Sequence, residues 1–98
     1  AVVMKALRMA AAAYEAALQV YTEADMPAEW AMTQTNLGDT EESLAASTAD
    51  TAMAKSAVGR TVNVIAYFEA MGANAGLEGA KRSLSRQQAL LAVLEGNS

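Results

Sequence analysis

The stretch "PAEWAMTQTNLGDTEESLA", residues 27–45, decides the fold. Pro27 suits the first turn of a helix, where its missing N–H costs nothing, and Glu29 sits favourably at the positive end of the helix dipole. Trp30, Leu37 and Leu44 then recur at helical spacing. Gly38 stands in mid-helix, where glycine costs roughly 1 kcal/mol relative to Ala. Such a residue needs compensation, and close packing against another helix supplies it. The expected neighbour is the Ala-rich first helix, and Trp30 is expected to be a packing anchor.

Working outward, residues 1–24 carry Val3, Leu7, Ala11, Tyr14, Leu18 and Tyr21 on one stripe. This helix is expected to end near Ala24, because Pro27 disfavours helix at Met26. The second helix should fray near Ala46. A third starts from Ser47, Thr48 or Asp50 as cap and shows Ala54, Ala57, Val58, Thr61, Ile65 and Phe68 on one face. Gly72 stops it by taking the left-handed conformation. Asn74 is expected to cap a fourth helix with a stripe of Leu77, Ala80, Leu84, Gln87, Leu91 and Leu94, ended by Gly96. The prediction is all-α: four antiparallel helices stacked as hairpins, either a helical superhelix or a short four-helix bundle. Residues 1–98 form one domain.

Composition agrees and narrows the chemistry. Hydrophobic residues are 53 % but aromatics only 5 %, and Ala is roughly a quarter of the chain. Tight helix pairs are expected rather than a bulky core. Cys and His are both absent. That removes the usual zinc and transition-metal ligands and thiol or imidazole catalysis. No catalytic residue, metal site or cofactor is expected, although acidic residues such as Glu41, Glu42 or Glu69 leave an enzyme as a remote alternative. Lack of disulfides suits the cytoplasm.

The net charge is −4. Residues 1–50 carry two basic against eight acidic groups, and residues 51–98 five basic against three acidic. The acidic balance argues against nucleic acid. No charge-free stretch approaches the roughly 18 residues of a membrane span. The opening "AVVMKALRMAAAAYEAALQV" is interrupted by Glu15 and has no cleavage-like boundary after it, so it is not read as a targeting segment. The first residue is not Met, which implies a trimmed chain with sequence upstream.

The two halves match each other. Tyr21 and Tyr67, Glu23 and Glu69, Ala24 and Ala70, Leu18 and Val64, and Ala11 and Ala57 all lie 46 positions apart, and Leu37/Leu84 and Leu44/Leu91 lie 47 apart. The repeat copies are approximately 1–46 and 47–98.

"WAMTQTNLG" (30–38), preceded by "AAAYEAALQVYTEA" (11–24), resembles a tetratricopeptide repeat of the long-period bacterial type. Its marks here are Tyr21, Trp30, Asn36-Leu37-Gly38 and, more loosely, Tyr67 and Leu84 in the second copy. Glu41 and Ser85 depart from the family pattern. The resemblance makes residues 1–24 the second helix of a repeat whose first helix lies upstream. It implies a protein-interaction scaffold whose concave face takes a peptide or helix. Carried onto this chain, the partner-binding residues are Met32, Thr35, Asn36, Asp39, Glu42 and Ser43. The acidic groups with Met32 imply a basic or apolar partner. The alternative is a self-assembling structural module. Val2, Val3 and Leu7 are expected to be an exposed apolar flank, and acidic Asp39, Glu41 and Glu42 on helix two against basic Lys81, Arg82 and Arg86 on helix four allow head-to-tail stacking. A dimer pairing helix one with itself is the commoner solution.

Overall fold

The computed structural model describes residues 2–96. They form α1 (Val2–Ala17), α2 (Pro27–Thr48), α3 (Thr51–Met71) and α4 (Asn74–Leu94), with no strand among the described residues. Each helix packs on the next in sequence, and α4 also touches α2; α1 packs on α2 alone. The result is an open stack of antiparallel helices measuring 35 × 28 × 18 Å. No helix among the described residues is long and apolar enough to cross a membrane.

The punctuation acts largely as the residues dictate. Pro27 opens α2. Four threonines within α2 (Thr33, Thr35, Thr40 and Thr48) donate their hydroxyls to the carbonyls four residues back, at 2.7–2.8 Å. That is how a Thr-rich segment remains helical: the side chains are satisfied by the helix itself. The helix runs past Ala46 to Thr48 and ends with Ala49 in the left-handed region at φ 55°. Of the three candidate caps, Asp50 is used, accepting from the Met53 N–H at 3.0 Å. Gly72 closes α3 with φ 67°.

Two boundaries differ from expectation. The first helix ends at Ala17 instead of near Ala24. Beyond it the chain tightens: Gln19 and Val20 bond the carbonyls three residues back, and Thr22 accepts from the Asp25 N–H at 3.1 Å in a separate turn. At α4 the N-cap position is Ala73, without a side-chain cap, and Asn74 is the first helical residue.

The core lies along the α2–α3 seam. Trp30, Ala31, Leu37, Leu44 and Ala45 of α2 are buried, as are Ala54, Ala57 and Val64 of α3. Val64 rather than Ile65 is buried, and of the α4 stripe only Ala80 and Gln87 are. Alanines dominate this list, so the axes approach closely instead of interleaving large side chains. Trp30 anchors the open end of the seam, edge-on to Tyr67 with ring centroids 6.1 Å apart. Gly38 is buried at a helix contact, but its neighbours are Thr61, Ala57 and Arg60 of α3, not the first helix. The reason is topological, since the opposite face of α2 meets α1.

Candidate partner-binding groove

Because α3 doubles back, α2 and α4 run parallel on one side of the stack. On this side lie two adjoining hollows, one of about 360 Å³ between α2 and α3 and one of about 280 Å³ that reaches α4. The first is lined by Ala28, Ala31, Met32, Thr35 and Asn36 of α2 with Tyr67 and Phe68 of α3. The second is lined by Thr35, Phe68 and, from α4, Ala75, Gly76, Gly79, Ala80 and Ser83. Thr35 and Phe68 belong to both, so the two hollows adjoin along these side chains. Small residues on α4 leave the space open. Gly76 is required by the ring itself: a Cβ there would lie 2.8 Å from Phe68 Cζ.

The lining is mostly apolar, and its polar groups are partly engaged already. Thr35 donates its hydroxyl to the Ala31 carbonyl at 2.8 Å. Asn36 is exposed at the edge, and Met32 stands on the rim with 60 % of its surface free.

Further along α2, acidic groups meet α4. Arg86 Nε donates to Glu42 Oε2 and Nη2 to Glu42 Oε1, both at 3.0 Å, and Asp39 Oδ1 lies 3.6 Å from Nη2. Asp39 Oδ1 is buried without a hydrogen bond. Burial pushes the Asp39 carboxyl above its ordinary value, against the opposing pull of Arg86, with Glu42 adding to the rise. The hydrogen bond to Glu42 raises Arg86 further still.

The six residues implied by the resemblance therefore divide. Met32, Thr35 and Asn36 line the groove. Asp39 and Glu42 sit beyond it, tied to Arg86. Ser43 is exposed and lines neither hollow. Tyr67 and Phe68 were not among them, nor were the α4 residues; the signal that points to the latter is Gly76, Gly79 and Ala80 at helical spacing on a helix parallel to α2. Tyr21 lies in the turn after α1, half-buried, while its counterpart Tyr67 is helical.

Glu41 is buried within the α2–α3 seam. Ser56 Oγ donates to its Oε2 at 2.9 Å and Arg60 Nε to its Oε1 at 2.8 Å, while Arg60 Nη1 reaches Gln34 Oε1 at 2.9 Å. Deeper in, Thr61 donates to Gln87 Oε1 at 2.6 Å, leaving Gln87 Nε2 unpaired. No group of three or more potential metal-ligating side chains occurs among the described residues. Compared with known proteins, the chain matches no family model, no curated protein and no solved structure.

Proposed function

We propose that this chain is a non-catalytic protein-interaction module of tetratricopeptide type, acting in the cytoplasm, which takes a short apolar segment of a partner protein between α2 and α4. The observation that carries the reading is the pair of adjoining, mostly apolar hollows that share Phe68, the first of them rimmed by the exposed Met32. Methionine adapts to varied contacts. The engagement of Asp39 and Glu42 by Arg86 favours the apolar over the basic partner, because those carboxylates already have a cation. Two of the three carboxylates weighed for catalysis are similarly occupied: Glu41 is bonded to Arg60 and Ser56, and Glu42 to Arg86.

The test is selection of short Leu-, Met- and Phe-rich peptides displayed on phage, followed by titration of the selected peptide, labelled, against variants. Met32→Glu should weaken binding about tenfold or more, equal to 1.4 kcal/mol. The pair Asp39→Lys/Glu42→Lys should change it far less, and added salt should matter little. A selected peptide that binds Met32→Glu as tightly as wild type sinks the groove reading. A second reading, a self-assembling helical module, is favoured by one observation: α1 contains no buried residue.

A further inference from the structure

Helix α1 has two apolar faces, and among the described residues only one of them has a neighbour. Met4, Leu7, Ala11, Tyr14 and Leu18 form a half-buried stripe, and α2 is the helix that α1 packs against. On the opposite side Val2, Ala6, Met9, Ala13 and Ala16 follow one another at spacings of four, three, four and three, and all are exposed, as is Val20 in the turn that follows α1. Val2 is 83 %, Met9 64 % and Val20 67 % accessible. A helix apolar on both sides belongs in an interior.

The outer stripe is self-complementary. If two copies meet antiparallel about a two-fold axis near Ala11, Ala6 faces Ala16 of the second copy and Met9 faces Ala13, with Val2 level with the turn that carries Val20. The large Met9 then meets a small side chain, the alternation that lets helices interlock. The charges also fit. Lys5, Arg8 and Glu15 lie on one flank of the stripe, and the antiparallel register sets Arg8 alongside Glu15 of the other copy, with no like charges opposed. On the other flank Val3, Ala10 and Ala17 extend the apolar strip. A parallel pairing would instead set Met9 against Met9 and bring the Lys5 and Arg8 flank over the apolar Val3, Ala10 and Ala17 flank of the other copy.

We infer that α1 pairs with α1 of a second copy of this chain, antiparallel and in the register that sets Met9 against Ala13. The helix is about 24 Å long at 1.5 Å per residue. A single helix face of that length offers at most an area at the low end of the range for stable interfaces, so the dimer is a weak one. The pairing uses none of the groove residues and stands whether or not the groove binds a peptide.

Sedimentation equilibrium of the 98-residue chain over about 1–500 µM tests it, this range bracketing micromolar affinity. The average mass should rise from 10.2 kDa towards twice that value. Met9→Glu and Ala13→Lys should each be monomeric alone and form a heterodimer on mixing, because positions 9 and 13 face each other. Both residues are exposed in the single chain, so helix content by circular dichroism should match wild type. On the wild-type protein, the Met9 methyl resonance should shift with concentration while that of Met32 stays fixed. A mass of one chain throughout overturns the inference. So does dimerisation of Met9→Glu at wild-type strength, failure of the mixed variants to pair, or a concentration-dependent shift at Met32 in place of Met9.

Discussion

Helices α1 and α3 match in sequence but not in burial. Ala11 corresponds to Ala57 and Leu18 to Val64, yet α3 buries Ala54, Ala57, Thr61 and Val64 while α1 buries nothing. The difference is one of neighbours. Helix α3 lies between α2 and α4, whereas α1 touches α2 alone. In a stack of hairpins the same apolar pattern yields different stabilisation according to how many sides are covered.

The sharpest way to break this comparison is to cut one leucine from each seam. Leu37 has none of its surface exposed and sits where α2 meets α3. Leu37→Ala should destabilise by about 2–5 kcal/mol through lost burial and the cavity left behind. Leu7→Ala, on half-buried α1, should cost about 1 kcal/mol or less, since little area returns to water. Urea unfolding of both variants decides it. Equal losses would mean that α1 is as well buried as α3.

The fold was legible because its signals are local. Pro27, Asp50, Gly72 and the apolar spacing all act within a few residues, and Trp30 could be read as an anchor for the same reason. What escaped depended on partners distant in sequence. Glu41 looks like one of three acids on a wet face, but Arg60 and Ser56 reach it from α3 once the register is set. Arg86 looks like part of a basic patch available for stacking between chains, yet it closes onto Glu42 and Asp39 of its own chain. Half of the groove was legible through Met32, Thr35 and Asn36. The other half comes from α4 and from Phe68, which only the packing of parallel α2 and α4 brings opposite. The early end of α1 is marked by backbone bonds at Gln19 and Val20 that reach only three residues back, and no residue in the apolar stripe announces it.

A smaller effect sharpens the comparison between α2 and α4 through their glycines. A Cβ at Gly38 would meet Thr61 Oγ1 at 3.6 Å and Ala57 O at 3.8 Å, ordinary contact distances. Gly38→Ala should therefore stabilise by roughly 1 kcal/mol from helix propensity, raising Tm by about 4–8 °C. Gly38→Leu should destabilise by about 1–3 kcal/mol through overpacking. Gly76→Ala should lack the alanine gain, because its Cβ would strike the Phe68 ring and drive it aside. Thermal melts of the three variants check this, and a Gly76→Ala protein as stable as Gly38→Ala would show that the ring moves freely.

The smallest effect concerns the acids where α2 meets α4. Burial raises the Asp39 carboxyl above its ordinary value even with Arg86 nearby, so the folded chain holds that proton at pH values where the unfolded chain has released it. The stability linked to this proton is fully present below the unfolded carboxylate pKa and is lost as pH rises through the raised folded value. Asp39→Asn keeps the shape and removes the charge. It should unfold at slightly higher urea than wild type near pH 7, and the gap should close as the acid range is entered and Asp39 itself becomes neutral. The side chain is 48 % exposed, so solvent screening keeps the gap small. Paired urea titrations from acid to neutral pH measure it. A variant weaker than wild type at neutral pH would mean that attraction to Arg86 outweighs burial, and that this contact tightens the join between α2 and α4 where it was expected to loosen it.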